Sequence, residues 1–319
     1  GIFGPPPHAW GMPLRSTHAW AIKRSTPTRV GNAGNRTAGE RTGTVHPHTR
    51  GECGWRGRRC GGTVFLSVHC VSVAGVQTTL PNVLVFVPLA PVRPRIYGRT
   101  LQSVLRQDYP RYRLVLERED MGPGATRFGY RNIADKYNRA RALMLAGGDY
   151  DYLWTVEADM IVPEDALPRL IATSEETDAD VVYGVYASRH GSYPLCVARS
   201  IAETCIWFAH RSPEWLCEAW GHAVETQGLG LGCTLIRRRV LESIAFRYDG
   251  DLRACDWTFA LDCKAAGHRQ VHDFRVLCGH ITMTPSPRII WPQQPDAEGR
   301  WYRLEFLDLE AQDGIRNTV

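Results

Sequence analysis

Asp149-Tyr150-Asp151-Tyr152-Leu153-Trp154-Thr155-Val156-Glu157-Ala158-Asp159-Met160-Ile161-Val162-Pro163 decides how this chain is read. The apolar run Tyr152–Val156 predicts a buried strand that stops on two acids, Glu157 and Asp159. Pro163 then opens a helix through Glu164, Asp165, Ala166, Leu167, Pro168, Arg169 and Leu170. Residues two apart in a strand share a side. At the carboxyl end of a strand in an open α/β sheet, that side faces the ligand crevice. Two carboxylates there repel each other unless a cation lies between them. Mg²⁺ or Mn²⁺ with a substrate diphosphate satisfies them, because hard cations take oxygen ligands. A pair of solvated acids beside a helix N-terminus fits the same residues, so the surrounding sequence has to choose.

Upstream, Val83-Leu84-Val85-Phe86-Val87-Pro88 is a continuous apolar run of the kind a central parallel strand shows. A helix is predicted near Arg95–Gln107, with Ile96, Leu101, Val104 and Leu105 on one face. Asp108-Tyr109-Pro110 breaks it. Tyr112–Glu117 is a second strand running into Arg118-Glu119-Asp120. A longer helix spans Tyr130–Ala146, with Ile133, Tyr137, Ala140, Leu143 and Met144 inward, and Gly147-Gly148 ends it. Strand, helix, strand, helix, strand predicts a mostly parallel Rossmann-like α/β sheet with right-handed crossovers.

The 319 residues suffice for one large or two small domains. The formal charge of +5 is unevenly spread. Residues 1–80 carry ten Lys/Arg against two Asp/Glu, and the rest carries 28 against 31. The excess thus belongs to the N-terminal quarter, which argues against a nucleic-acid partner for the folded part. Residues 1–78 are expected to be low-complexity and disordered, since their first sixty residues have almost no periodic apolar pattern. They also repeat oddly. Pro7-His8-Ala9-Trp10-Gly11, Pro27-Thr28-Arg29-Val30-Gly31 and Pro47-His48-Thr49-Arg50-Gly51 are the three reading frames of one DNA string, CCCCACACGCGTGGGGA. This resembles a palindromic CRISPR-type repeat array read as protein, and with a first residue other than Met it suggests an over-extended reading frame. A basic nucleic-acid arm is the alternative.

Val64–Val76 is apolar but too short to span a bilayer. It has the composition of a signal-peptide core, yet lies far from residue 1. No transmembrane segment is expected, and a peripheral membrane contact stays open. The ten cysteines include no CxxC pair. They read as buried, reduced thiols of a cytoplasmic protein rather than a metal cluster.

Five blocks in order now resemble a GT-A-fold glycosyltransferase close to family 2. They are Pro88 and Asp120 at two strand ends; Tyr137-Asn138-Arg139-Ala140-Arg141; Glu157-Ala158-Asp159, a variant of that family's DxD motif; Gly228–Glu242, like its Gly-rich turn, strand and helix; and Cys255–His268, like its ED block with Cys255 where Glu is common. Val276-Leu277-Cys278-Gly279-His280 resembles a strand ending on a metal-binding histidine. The resemblance covers residues 82–283. It implies a GT-A domain over 79–284, with 285–319 as a tail packed on it.

The resemblance implies a Mn²⁺- or Mg²⁺-dependent transfer from a UDP- or GDP-sugar to a hydroxyl acceptor, a glycan, lipid or small polyol. Asp159 and His280 would be metal ligands, with Glu157 acting through water or on the ribose. Pro88, Asp120, Asn138, Arg141, Gly230 and Gly232 would contact the nucleotide sugar. Asp256 would be the general base of an inverting reaction. Each position has a plain structural reading too: Asp120 as a turn former, Asp256 as a first-turn acid, His280 as a satisfied histidine. Arg237-Arg238-Arg239 reads as a solvated first helical turn. Trp220 and Trp257 suit either acceptor stacking or the core, and Tyr183–Ser188 with Ser192–Val197 are expected to shape the acceptor pocket. Two other functions compete. One is a non-catalytic nucleotide-sugar-binding protein on the same fold. The other is a sugar-phosphate nucleotidyltransferase, which wants glycines in the loop Pro88–Arg95 where there are none.

Overall fold

A computed structural model describes residues 54–60, 63–69, 80–89, 94–118, 130–189, 193–249, 253–283 and 286–307. The elements run β1 (Gly54–Cys60), β2 (Thr63–His69), β3 (Val83–Leu89), α1 (Pro94–Leu105), β4 (Tyr112–Arg118), α2 (Tyr130–Ala146), β5 (Tyr152–Val156), β6 (Met160–Ile161), α3 (Ala166–Thr177) and β7 (Val181–Val185). There follow β8 (Ala198–Ile201), β9 (Ile206–Phe208), a 3₁₀ turn, α4 (Pro213–Ala219), β10 (Ala223–Glu225), β11 (Cys233–Arg237) and α5 (Arg238–Ser243). The chain continues with α6 (Cys255–Ala265), β12 (Gln270–Leu277), β13 (Gly279–Thr282), β14 (Arg288–Pro292) and β15 (Tyr302–Phe306).

Nine strands form the central sheet in the order β1-β2-β4-β3-β5-β11-β7-β12-β10. Strands β4, β3 and β5 are parallel neighbours, and so are β7 and β12. Between these groups β11 runs antiparallel to both β5 and β7. The sheet is therefore largely parallel in direction, with helices on both faces, as the pattern of elements predicts.

Alternation explains the unbroken apolar strands. In β3, Val83, Val85, Val87 and Leu89 pack in one layer with Val104 of α1 and Leu167 and Leu170 of α3. Leu84 and Phe86 pack in the other with Ala134, Tyr137, Ala140 and Met144 of α2. Every residue of β3 but Pro88 faces a core because both faces are covered. Each fully buried side chain of this size contributes roughly 1.5–3 kcal/mol.

The sheet also takes in chain that lies before the expected domain start. β2 pairs antiparallel with β4, and β1 pairs with β2. Thr63–His69 thus runs alongside β4. Val276–His280 differs from the single strand expected there. β12 ends at Leu277, and β13 leaves the central sheet for a second one, β15-β14-β13-β6. That sheet absorbs residues 288–292 and 302–306, which the sequence places in a tail. Among the described residues no helix is long and apolar enough to cross a membrane.

Candidate active site

Strand β5 ends at Val156, so Glu157 and Asp159 lie beyond it, in a turn leading to β6. Strand alternation therefore does not orient them; the turn does. Met160 N donates to Glu157 O (3.0 Å), closing the turn. Three other elements hold it. Glu157 N donates to Gly232 O (3.0 Å), Ile281 N donates to Asp159 O (2.8 Å), and Thr100 Oγ1 donates to Ala158 O (2.8 Å). The acids sit at the carboxyl edge of the parallel strands, where such sheets bind ligands.

His280 reaches them through register. β13 pairs antiparallel with β6, His280 opposite Met160. Its Nδ1 donates to Ala187 O (2.6 Å). Its Nε2 is buried, has no hydrogen-bond partner, and lies 3.6 Å from Asp159 Oδ2. The same oxygen accepts from Arg189 Nη1 (2.7 Å).

The two acids are driven apart electrostatically. Burial, with the charge of Asp159 beside it, pushes Glu157 up to about 7. Burial also works against ionisation of Asp159, but His280 and Arg189 outweigh it and hold that carboxyl down to about 2. Tyr137 Oη donates to Glu157 Oε1 at 3.4 Å. Asp256 stands in the first turn of α6, where burial raises its carboxyl above the usual range. Its Oδ1 accepts from Trp257 N (2.8 Å), and its charge is among those felt by Glu157.

A cavity of about 310 Å³ opens beside the acidic turn. Pro88, Tyr97, Lys136, Tyr137, Glu157, Asp159 and Arg189 line it. Pro88, Glu157 and Asp159, three of the site residues expected from the sequence, thus line one cavity. Asn138 and Arg141 do not. Asn138 exchanges two hydrogen bonds with the backbone of Phe246, and Arg141 Nε donates to Leu241 O (2.6 Å) and Ile244 O (3.0 Å). They tie α2 to α5 and the segment after it. Arg139 pairs with Glu117. Sequence reasoning missed Lys136, whose Nζ donates to Leu89 O (3.3 Å). The spacing of Ile133, Lys136 and Tyr137 was the signal for it, since residues three and four apart share a helix face. It also missed Arg189. Asp120 and the loop at 90–93 lie outside the described residues.

Gly230 and Gly232 make close approaches, but to the protein's own Tyr186. Gly230 has φ +93°, and a Cβ there would collide with the Tyr186 hydroxyl. A Cβ on Gly232 would stand 2.7 Å from Tyr186 Cζ. Gly232 N donates to Tyr186 Oη (3.0 Å), and the ring meets His280 edge-on at 5.5 Å. Tyr186 thus links the Gly-rich turn to His280. Burial pushes the nearby Cys196 thiol up, which favours its protonated form. Trp220 packs near Phe274, and Trp257 Nε1 donates to Ala202 O (3.1 Å).

The arginine run is partly exposed, with Arg239 about half exposed, and bonds to two helix ends. Arg237 Nη2 donates to Ser174 O (2.8 Å) and its Nε to Ala179 O (2.9 Å), at the C-terminal end of α3. Arg238 donates to Met144 O and Leu145 O (both 3.1 Å), at the end of α2. Arg239 pairs with Asp180.

Among the described residues no group of three or more His, Cys, Asp or Glu is placed to hold a metal ion. Asp159 with the unpartnered His280 Nε2 supplies two donors. That number fits a cation that keeps water or phosphate oxygens as its other ligands, as Mg²⁺ does. Fold and site together define an α/β protein with a carboxylate–histidine centre beside a crevice. No protein-family model matches the chain, and no curated protein matches it. Among solved structures the chain is similar to the crystal structure of A197 from STIV, with 19% identity over 71% of this chain and 94% of that one, TM-score 0.45. It is also similar to the crystal structure of S. aureus TarS, with 15% identity over 60% of this chain and 35% of that one, TM-score 0.38.

Proposed function

We propose that the protein is a divalent-cation-dependent glycosyltransferase that moves a sugar from a UDP- or GDP-sugar to a hydroxyl group of a glycan, lipid or polyol. The observation that carries this reading is His280 Nε2, buried and without a hydrogen bond, facing Asp159 Oδ2 at 3.6 Å beside the cavity. A buried imidazole nitrogen without a hydrogen bond is costly unless something completes it.

Asp159 and His280 would hold Mn²⁺ or Mg²⁺, which when bound supplies Lewis-acid neutralisation of the diphosphate leaving group. Lys136 brings a second positive charge to the cavity that would take the diphosphate. Tyr137 orients Glu157, which faces the ribose or a water. Asp256 accepts the proton of the acceptor hydroxyl while that oxygen bonds to the anomeric carbon, and the bond from this carbon to the diphosphate oxygen breaks. The nucleoside diphosphate leaves with that electron pair, and the anomeric centre inverts. Tyr186 and the Gly228–Gly232 turn position His280 and Glu157 without touching the reacting atoms. The cytoplasmic location belongs to the same reading.

The test is Mn²⁺-dependent hydrolysis of a panel of UDP- and GDP-sugars by the full chain. Release of one nucleotide, lost in Asp159→Ala, supports the assignment and names the donor. Asp256→Asn is expected to keep donor binding and lose at least a hundredfold in transfer to an acceptor. Nucleotide binding with no turnover in any pairing would instead support a non-catalytic binding protein.

A further inference from the structure

One short segment serves both partners of Asp159. Ala187 O accepts from His280 Nδ1 (2.6 Å), which leaves Nε2 as the nitrogen facing the carboxylate. Two residues on, Arg189 Nη1 donates to Asp159 Oδ2 at 2.7 Å, the oxygen that His280 Nε2 faces at 3.6 Å. Arg189 is about half exposed, whereas Asp159 is 16% exposed. A guanidinium therefore stands on the oxygen that a cation held between Asp159 and His280 would use. Two positive charges cannot share one carboxylate oxygen at contact distance without strong repulsion, because the site is largely withdrawn from solvent. The arginine lies on the open side and lines the cavity, so it can leave toward solvent or toward an anion inside the cavity. Guanidinium matches a phosphate bidentately, which makes a diphosphate a better partner than one carboxylate oxygen.

We infer that Arg189 is a resident cation that competes with the divalent ion for Asp159 and releases that carboxylate when a nucleoside diphosphate offers the guanidinium another partner. The inference rests on the transferase reading of this site and deepens it. It makes the metal and nucleotide sites reciprocal: each ligand tightens the other, because both pull the same ion pair apart. Metal alone binds weakly, and Asp159 is kept neutralised until the donor arrives.

The experiment is calorimetric titration of the full chain with Mn²⁺, alone and with saturating UDP or GDP. It compares wild type, Arg189→Gln, Arg189→Lys and Asp159→Asn, each checked for a cooperative melt. Arg189→Gln is expected to bind Mn²⁺ alone about tenfold more tightly than wild type, and the extra tightening given by the nucleotide is expected to shrink by a similar factor. Arg189→Lys, a point charge without the fork, is expected to fall between them and serves if the glutamine variant does not fold. Asp159→Asn is expected to abolish binding. Unchanged Mn²⁺ affinity in both Arg189 variants, with binding still lost in Asp159→Asn, overturns the competition and leaves the metal site standing. No Mn²⁺ binding in wild type or variants, with or without nucleotide, or binding indifferent to Asp159→Asn, overturns the metal reading and this inference with it.

Discussion

Glu157 and Asp159 carry the same functional group two residues apart, yet one is held near 7 and the other near 2. The difference lies in their surroundings: Asp159 accepts from Arg189 with His280 beside the same oxygen, whereas Glu157 is buried next to the charge of Asp159. Because the folded-state pKa of Glu157 is raised, its favourable contribution is complete below about pH 4.5 and is lost as pH rises through about 7. Glu157→Gln is therefore expected to stabilise the cation-free protein at pH 8 by about 2 kcal/mol. A melting-temperature gain of roughly 4–8 °C that closes at pH 5 would report it. Asp159 has the opposite sign: its contribution is present above about pH 4 and is lost as pH falls through about 2. Asp256 is raised by burial. As the base it must be ionised, so the acid limb of kcat/KM is expected above the ordinary carboxylate range, and a pH–rate profile locates it.

At the scale of elements, side chains far apart in sequence add hydrogen bonds to the carbonyls at helix ends. The run Arg237–Arg239 is legible as charge but not as architecture, because its partners, Ser174, Ala179, Met144 and Asp180, are brought to it only by packing of α2 and α3 around β11. Removing the half-buried set of bonds in Arg237→Ala is expected to cost about 2 kcal/mol, a drop of roughly 4–8 °C on thermal melting. The boundaries of α2 follow the apolar period and its terminal glycines, and match the sequence reading at both ends. The family motif points to Asn138 and Arg141, while the α2 residues that line the cavity are Ile133, Lys136 and Tyr137. Gly230→Ala is expected to destabilise by about 2–4 kcal/mol, from positive φ and collision with the Tyr186 hydroxyl. Tyr186→Phe in the same chain should recover part of that loss, a non-additivity that a double-mutant cycle measures.

Across the whole molecule, the site exists because chain segments more than a hundred residues apart meet on one sheet edge. The sheet begins earlier than expected, at β1 and β2. A chain cut to begin at residue 79 removes both strands and leaves the backbone edge of β4 open. Such an edge templates association. The truncated protein is expected to aggregate or self-associate on light scattering, whereas one beginning at residue 50 stays closer to the full chain.

By itself the sequence determined the alternation of strands and helices, the double-sided burial of the parallel strands, and the placing of Pro88, Glu157 and Asp159 at strand ends. These follow from local period and from rules that relate strand ends to crevices. Only the tertiary structure decided that β13 lays His280 opposite Met160, that Arg189 closes on Asp159, that Tyr186 fills the space left by Gly230 and Gly232, and that Asn138 and Arg141 bind backbone rather than the cavity. Each of those contacts joins residues distant in the chain. Their geometry depends on strand order, register and helix rotation, which no local pattern encodes.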